Sequence, residues 1–275
     1  MRKGLNMLVY DIETAPRPDA ELQLVCDPFN PATVEIPTGD YPAFDPSAVK
    51  LGNLKDQSKV AEKIEAARQL HEAGRAEFEA AKANGPAIIA AAEQAHWGAI
   101  RNRAALSPVT GQVLAIGCYS VEGDKIGIAG VDSPDDEKKA LAGFWRQFLT
   151  CKQANRSMVG FNSSSFDLPF MVKRSWLLGV DVPTTLQSPD GRYFDRVFVD
   201  LLARWKCGVY GGGNGDGVSI KLANMAKFFG VGDKPDGVTG ADFARLWREE
   251  RERAREYLVN DLKMTAACAQ KMGIA

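Results

Sequence analysis

The chain of 275 residues has only two histidines, His71 and His96, and five scattered cysteines. This scarcity argues against a histidine-rich metal site and against a Ser-His-Asp triad built on the serine run 163–165. The number of cysteines is odd, and no two of them form a C-x-x-C pair. They therefore predict reduced thiols in a cytoplasmic protein, and neither a disulfide framework nor a zinc site.

The sequence also lacks an excess of either charge and any long apolar run. Lys and Arg number 34 against 35 Asp and Glu, which gives a formal net charge of −1. This balance argues against a protein that wraps DNA through a positive surface, but a local basic rim around an acidic site is enough for a nucleic-acid enzyme. The apolar run Leu8–Tyr10 predicts a strand, and no signal peptide or membrane segment is expected.

The predicted elements alternate between strands and helices. A β-hairpin, with strands at 113–121 and 125–131, follows the first strand, and a helix begins at Ser133. Further predicted elements are a strand at 158–161, a helix at 166–178, a strand at 197–201 and helices to the end of the chain. This order predicts an α/β fold in which helices flank a mixed sheet, within a single domain of residues 1–275.

One segment departs from this pattern. Residues 58–103 are rich in Ala, Glu, Lys and Gln, which favour helices, and Asn84-Gly85-Pro86 interrupts them. We therefore expect an inserted helical hairpin spanning residues 47–107. Its weak apolar seam predicts that it packs on something besides itself. The seam consists of Val60, Ile64, Ala67, His71, Gly74, Phe78 and Ala81. A substrate clamp, a partner-binding arm and an extra packing layer are all compatible with this segment.

Acidic residues follow the first predicted strand, in the run Asp11-Ile-Glu13-Thr14. Residues i and i+2 of a strand point to one face, so Asp11 and Glu13 can reach the same cation. Carboxylate oxygens suit Mg²⁺ or Mn²⁺. A second D-x-E, at Asp135 and Glu137, is predicted to lie at a solvated helix start. What distinguishes Asp11 and Glu13 is the apolar strand before them, because buried carboxylates need a metal or other partners.

Two further patches carry candidate ligands. Asp167 opens a predicted helix after Asn162 and Phe166, although a helix cap alone would also explain an Asp there. Tyr257 and Asp261 are four residues apart in the last predicted helix, so they share a face. A phenol beside a metal-bound carboxylate can orient an attacking water, and a half-buried helix anchor is the alternative for Tyr257.

Taken together and in this order, the three patches resemble the motifs of the DEDD superfamily of 3′–5′ exonucleases, which have an RNase H-like fold. The resemblance is to the tyrosine (DEDDy) branch, and within it to the family-B-polymerase-like predicted exonucleases. The histidine branch has a His five residues before the last Asp, where this chain has Glu256. The resemblance covers residues 5–15 and about 108–272, and it does not cover the helical hairpin. Asp200 lies in a run similar to the strand after the second motif; it could be a further site-facing carboxylate, but we expect a structural role for it.

The resemblance implies a two-metal phosphodiesterase with two Mg²⁺ or Mn²⁺ ions. Asp11 is expected to bridge both ions, while Glu13, Asp167 and Asp261 complete the ligand set and Tyr257 orients the attacking water. Substrate contacts are expected from Thr14, Asn162 and Phe166, and from Arg192 and Arg196 around a glycine-containing turn.

The expected function is a stand-alone, metal-dependent 3′–5′ exonuclease that hydrolyses phosphodiester bonds from the 3′ ends of DNA in replication, repair or recombination. Its expected partner is single-stranded or 3′-ended DNA, and a replication or repair protein could bind through the helical insertion. Two alternatives stay open: a 3′–5′ exoribonuclease of the same superfamily, for which RNA is the substrate, and a non-catalytic nucleic-acid-binding subunit.

Overall fold

The computed structural model describes residues 6–186, 194–207, 220–232 and 239–274. Within these ranges the strands are β1 (Met7–Pro16), β2 (Gly111–Ser120), β3 (Lys125–Gly130), β4 (Ser157–Gly160) and β5 (Phe198–Asp200). The helices are α1 (Asp19–Val25), α2 (Gln57–Ala83), α3 (Gly85–Ala104), α4 (Pro134–Gln153), α5 (Asp167–Leu178), α6 (Leu201–Trp205), α7 (Leu222–Phe229), α8 (Phe243–Glu249) and α9 (Arg251–Lys271). None of the described helices combines the length and the apolar character needed to cross a bilayer.

The five strands form one mixed sheet in the order β3-β2-β1-β4-β5. β1 pairs antiparallel with β2, which pairs antiparallel with β3, whereas β4 pairs parallel with both β1 and β5. The predicted mixed sheet flanked by helices is thereby confirmed. β1 pairs with β4 only over Met7–Val9, so the second half of β1 extends past the end of its parallel neighbour.

Alternation along β1 divides the core into two layers. Met7 and Val9 belong to a cluster that includes Leu258 and Leu262 of α9, together with residues of α7 and α8. Leu8, Tyr10 and Ile12 belong to a second cluster, with residues of α4 and α5. Successive side chains of a strand point to opposite faces, so helices on both faces bury most of β1.

The chain divides into two compact units, Met1–Cys26 with Asn102–Ala275, and Asp27–Arg101. The second unit holds the two helices predicted for the insertion, α2 and most of α3, and only Asn84 separates them. The predicted extent of the insertion, its inclusion in a single domain and its role as a partner-binding arm stay predictions.

Within the second unit, the predicted seam of α2 packs against an extended segment that precedes it. The ring of Tyr41 contacts those of His71 and Phe78, and the ring of Phe44 also contacts His71. Gly74 permits this approach, since a Cβ atom there would lie 2.5 Å from the Tyr41 hydroxyl oxygen. The small and aromatic residues of the seam thus fit one aromatic strip of the chain.

A buried ion pair joins α4 and α5 in the first unit. Arg174 donates from Nε and Nη2 to the two carboxylate oxygens of Glu137, at 2.8 and 2.7 Å. Glu137 Oε1 also accepts from the Val113 backbone N–H at 2.9 Å, and Arg174 Nη1 donates to the Pro108 carbonyl at 3.2 Å. The ion pair therefore fixes two parts of the fold relative to α4. One is the beginning of β2, and the other is α5, the helix that carries Asp167.

Substitution of Arg174 by Met should destabilise the protein strongly. The change leaves the Glu137 carboxylate buried without its bidentate partner, and removal of one member of a buried pair costs about 3–5 kcal/mol. Urea denaturation of the wild type and the variant measures this difference in the free energy of unfolding. Lys139→Met, which breaks the exposed pair with Asp136 on the same helix, is the matched control and should change little. A loss for Arg174→Met no larger than that of the control would contradict the assignment.

Candidate metal and catalytic site

Three carboxylates from two elements meet beside β1. Asp11 and Glu13 lie on the same face of β1, and Asp261 lies on α9. One ligand oxygen from each lies within 4.8 Å of the other two. Glu13 and Asp261 are buried and Asp11 is half-buried, so water screens their mutual repulsion only in part. The sequence-predicted residues of the first and third patches are thus brought together.

A glycine opposite Asp11 lets α9 approach the sheet. Asp11 pairs with Gly117 across the β1–β2 ladder. A Cβ atom at Gly117 would lie 2.9 Å from Leu262 Cδ1 and 3.0 Å from Leu258 Cγ, both on α9. Such distances are too short for carbon atoms in contact, so a larger residue at position 117 would force these two leucine side chains to move.

Asp167 reaches the same region from the opposite layer. It is the first residue of α5, and its Oδ1 accepts a hydrogen bond from the backbone N–H of Ile12 at 3.2 Å. Ile12 lies between Asp11 and Glu13, in the part of β1 that extends past its pairing with β4. The Asp167 carboxylate therefore binds the open edge of β1 where a neighbouring strand would otherwise pair, and it also forms a hydrogen bond with Asp11.

The environment of Asp167 strongly favours its protonated form. Burial, with a further contribution from the charge of Asp200, raises the pKa of Asp167 from 3.8 to about 7. Hydrogen bonds from the Ile12 N–H, from its own backbone N–H and with Asp11 act in the opposite direction. A carboxyl group whose pKa is raised to near neutral pH in this way is typical of functional sites.

Tyr257 lies one turn before Asp261 on α9, and its side chain is buried. Burial raises the pKa of Tyr257 above its ordinary value, and the charges of Asp261, Glu13 and Asp11 raise this pKa further. The phenol therefore keeps its proton at neutral pH. It can donate a hydrogen bond to a water or a phosphate, but it cannot serve as a general base.

The donor set fits Mg²⁺ or Mn²⁺. All the ligand atoms are carboxylate oxygens, which are the ligands that these cations prefer. With octahedral bonds of about 2.1 Å, ligand oxygens of one ion lie about 3.0–4.2 Å apart. The separations of up to 4.8 Å among Asp11, Glu13 and Asp261 are close to this range. A small inward movement of these three carboxylates would bring their oxygens within the octahedral range. Asp167 can supply a fourth carboxylate.

The predicted substrate-binding residues lie in different surroundings. Thr14 donates its hydroxyl proton to the Ala105 carbonyl at 2.8 Å. Asn162 lies in the loop before Asp167 with φ of 58°, and Phe166, the cap residue of α5, packs its ring on Phe170. Arg196 is exposed and lies in the turn before β5. Its contact with substrate stays a prediction, and Arg192 lies outside the described residues.

Two residues outside the expected catalytic set also lie near the site. Asp200, for which a structural role is expected, binds through its carboxylate the loop that precedes Asp167. Tyr10 was not singled out, and burial followed by the charge of Asp167 raises the pKa of its phenol. An acid at the end of a short apolar strand was an available signal for Asp200, as it was for Asp11. Tyr10 points to the opposite face of β1 from Asp11, and nothing in the sequence around it indicated a place near the site.

The family to which the sequence is similar agrees with the fold. Residues 104–263, more than half of the chain, match the family model of the RNase H superfamily. This span includes Asp167, Tyr257 and Asp261. The family B DNA polymerase from the hyperthermophilic archaeon Pyrobaculum calidifontis is a similar solved structure, with 20% sequence identity and a TM-score of 0.47. The similarity covers 62% of this chain but only 23% of the polymerase. No curated protein matches the sequence.

Asp167→Asn should stabilise the metal-free protein, and the gain should grow from pH 4 to pH 8. The folded-state pKa of about 7 exceeds the unfolded value of 3.8, so ionisation destabilises the folded state progressively across this interval. Asparagine keeps an oxygen that accepts from Ile12 but carries no charge. We expect a melting temperature at least about 3 °C above that of the wild type at pH 8 in a chelating buffer. Asp181→Asn, an exposed substitution, controls for the loss of one charge. A difference that does not change with pH would contradict this explanation.

Proposed function

Because the chain belongs to the RNase H superfamily, we propose that it is a metal-dependent 3′–5′ exonuclease of the tyrosine (DEDDy) branch. The observation that carries this proposal is the meeting of Asp11, Glu13 and Asp261, whose ligand oxygens lie within 4.8 Å of one another. Asp167 and Tyr257 stand beside them. The five residues of the expected catalytic set come from three distant parts of the sequence, and the bond of Asp167 to the Ile12 N–H, between Asp11 and Glu13, supports including it in the set.

In the proposed mechanism, Asp11, Glu13, Asp167 and Asp261 would hold two Mg²⁺ or Mn²⁺ ions. When bound, these cations supply Lewis acidity and neutralise charge at the scissile phosphate. Tyr257 keeps its phenolic proton and therefore positions the attacking water by a hydrogen bond. Burial of the carboxylates limits access of bulk water, which strengthens each electrostatic interaction with the phosphate.

The proposed substrate is a 3′ end of single-stranded DNA, processed in replication, repair or recombination. Asn162 and Phe166 are suited to contact the terminal nucleotides, because the loop that holds them leads directly into Asp167. The Phe166 ring is half-buried and can stack with a base in the way that aromatic residues hold single strands. Thr14, which follows Glu13 on β1, would also contact the substrate. Arg196 would contact the DNA strand further from its 3′ end.

A labelled-strand assay tests this function. The protein is incubated with Mg²⁺ or Mn²⁺ and with 5′-labelled single-stranded DNA or RNA of matched sequence, beside Asp11→Ala and a chelator control. We expect a ladder that shortens from the 3′ end, faster on DNA, and its loss in both controls. Faster cleavage of RNA would identify an exoribonuclease. Binding without cleavage of either strand would identify a non-catalytic subunit and contradict the proposal.

Tyr257→Phe should reduce the rate less than Asp11→Asn does. Removal of the phenolic hydroxyl misplaces the water, and we expect a loss of kcat of about 100-fold, the lower end of the range for positioned groups that handle protons. Loss of Asp11 also weakens the binding of both cations, so its effect should exceed about 1,000-fold. Single-turnover kinetics with saturating Mn²⁺ measures both rates. Equal losses in the two variants would contradict the separate roles given to the two side chains.

A further inference from the structure

Asp200 stands at the point where β5 ends and α6 begins, and its carboxylate is almost fully buried. Its Oδ1 accepts from the backbone N–H groups of Asn162 and Leu202, each at 2.9 Å. Its Oδ2 accepts from the backbone N–H of Ser164 at 3.0 Å. The bond to Leu202 caps a helix of only five residues. The other two cross to a different part of the chain, 36 and 38 residues earlier.

These two bonds hold the loop that leads into α5. Asn162 has a φ of 58°, which a non-glycine residue adopts only where its surroundings fix it. Its carbonyl accepts from the N–H groups of Ser165 and Phe166, and the Ser163 carbonyl accepts from the N–H of Leu168. The loop and the first turn of α5 thus form one hydrogen-bonded unit, and Asp200 fixes the start of that unit.

The same loop is packed tightly on the sheet beneath it. Gly160 pairs with Asp200 across the β4–β5 ladder. A Cβ atom at Gly160 would lie 2.6 Å from Ser163 Cβ and 3.2 Å from the Tyr10 ring. A side chain at position 160 would therefore push the loop outward. The loop of residues 161–166 is thus restrained twice, by the bonds to Asp200 and by its packing on Gly160.

We infer that Asp200 is a positioning residue of the proposed nuclease, which sets the position of Asp167 without contact with the substrate. The restraint runs from Asp200 through the backbone of the loop to the first turn of α5. From there the Asp167 carboxylate reaches the Ile12 N–H on β1. This inference rests on the proposed function for its catalytic consequence, but the restraint itself is a property of the fold.

Asp200→Asn tests the inference with the least change in shape. An asparagine oxygen can still accept from Asn162 and Leu202, but its NH₂ group would then face the N–H of Ser164, donor against donor. We expect kcat on single-stranded DNA to fall about tenfold or more, as for outer partners of metal ligands. The affinity for Mn²⁺, measured by calorimetry, should weaken by a similar factor. Amide hydrogen exchange over residues 161–168 should become faster.

Asp195→Asn is the matched control. Asp195 lies just before the same strand, is also buried, caps the Val197 N–H at 2.9 Å and pairs with Lys152 at 2.6 Å. It should lower the melting temperature by a comparable amount and leave kcat and exchange over 161–168 unchanged. If Asp200→Asn and Asp195→Asn have equal kcat and equal exchange, Asp200 is merely structural and the inference is overturned.

Two further measurements keep the test decisive. If Asp200→Asn does not fold, Gly160→Ala disturbs the same loop from the other side and should give the same fall in kcat and the same faster exchange. A kcat for Gly160→Ala equal to that of the wild type would overturn the inference. If the wild-type protein hydrolyses no nucleic acid, the proposed function fails by itself. Hydrogen exchange and Mn²⁺ affinity of Asp200→Asn still decide whether Asp200 positions the loop and Asp167.

Discussion

Repulsion among four carboxylates around one strand is the constraint on which the site depends. Asp11, Glu13 and Asp261 share a space of a few ångströms, and Asp167 stands at the adjacent edge of β1. Because these groups are largely buried, water cannot stabilise four negative charges there, so protons or cations must compensate them. The raised pKa of Asp167 represents the first solution, and bound divalent cations represent the second. The fold must hold the acids together against this repulsion.

Two features of the sheet allow it to do so. Gly117, beside Asp11, lets α9 pack closely on the face that carries Asp11 and Glu13. On the other side, β4 stops pairing with β1 after Val9, and the open edge admits the Asp167 carboxylate from the opposite layer. Acids from both helical layers thus converge on one strand. The Glu137–Arg174 pair and Asp200 then fix the helix and the loop that deliver Asp167.

The local patterns predicted the parts of this site better than its assembly. The alternation of β1 placed Asp11 and Glu13 on one face, and helical spacing placed Tyr257 with Asp261, since these relations depend on neighbouring residues alone. The bond from Asp167 to Ile12 joins residues 155 apart in the sequence, and it depends on where β4 stops pairing with β1. The loop that Asp200 binds and the place of Tyr10 beside Asp167 could not be predicted for the same reason. In the insertion, the seam was visible, but its extended partner around Tyr41 was not.

Anomalous diffraction from crystals grown with Mn²⁺ would test the central claim most directly, because it locates the cations without reference to any substrate. The account predicts two manganese peaks about 4 Å apart, both within bonding distance of Asp11 and shared among Glu13, Asp167 and Asp261. Crystals of Asp11→Asn should show weaker peaks or none. Absence of manganese from this group of carboxylates in the wild-type protein, with the four side chains in place, would contradict the account.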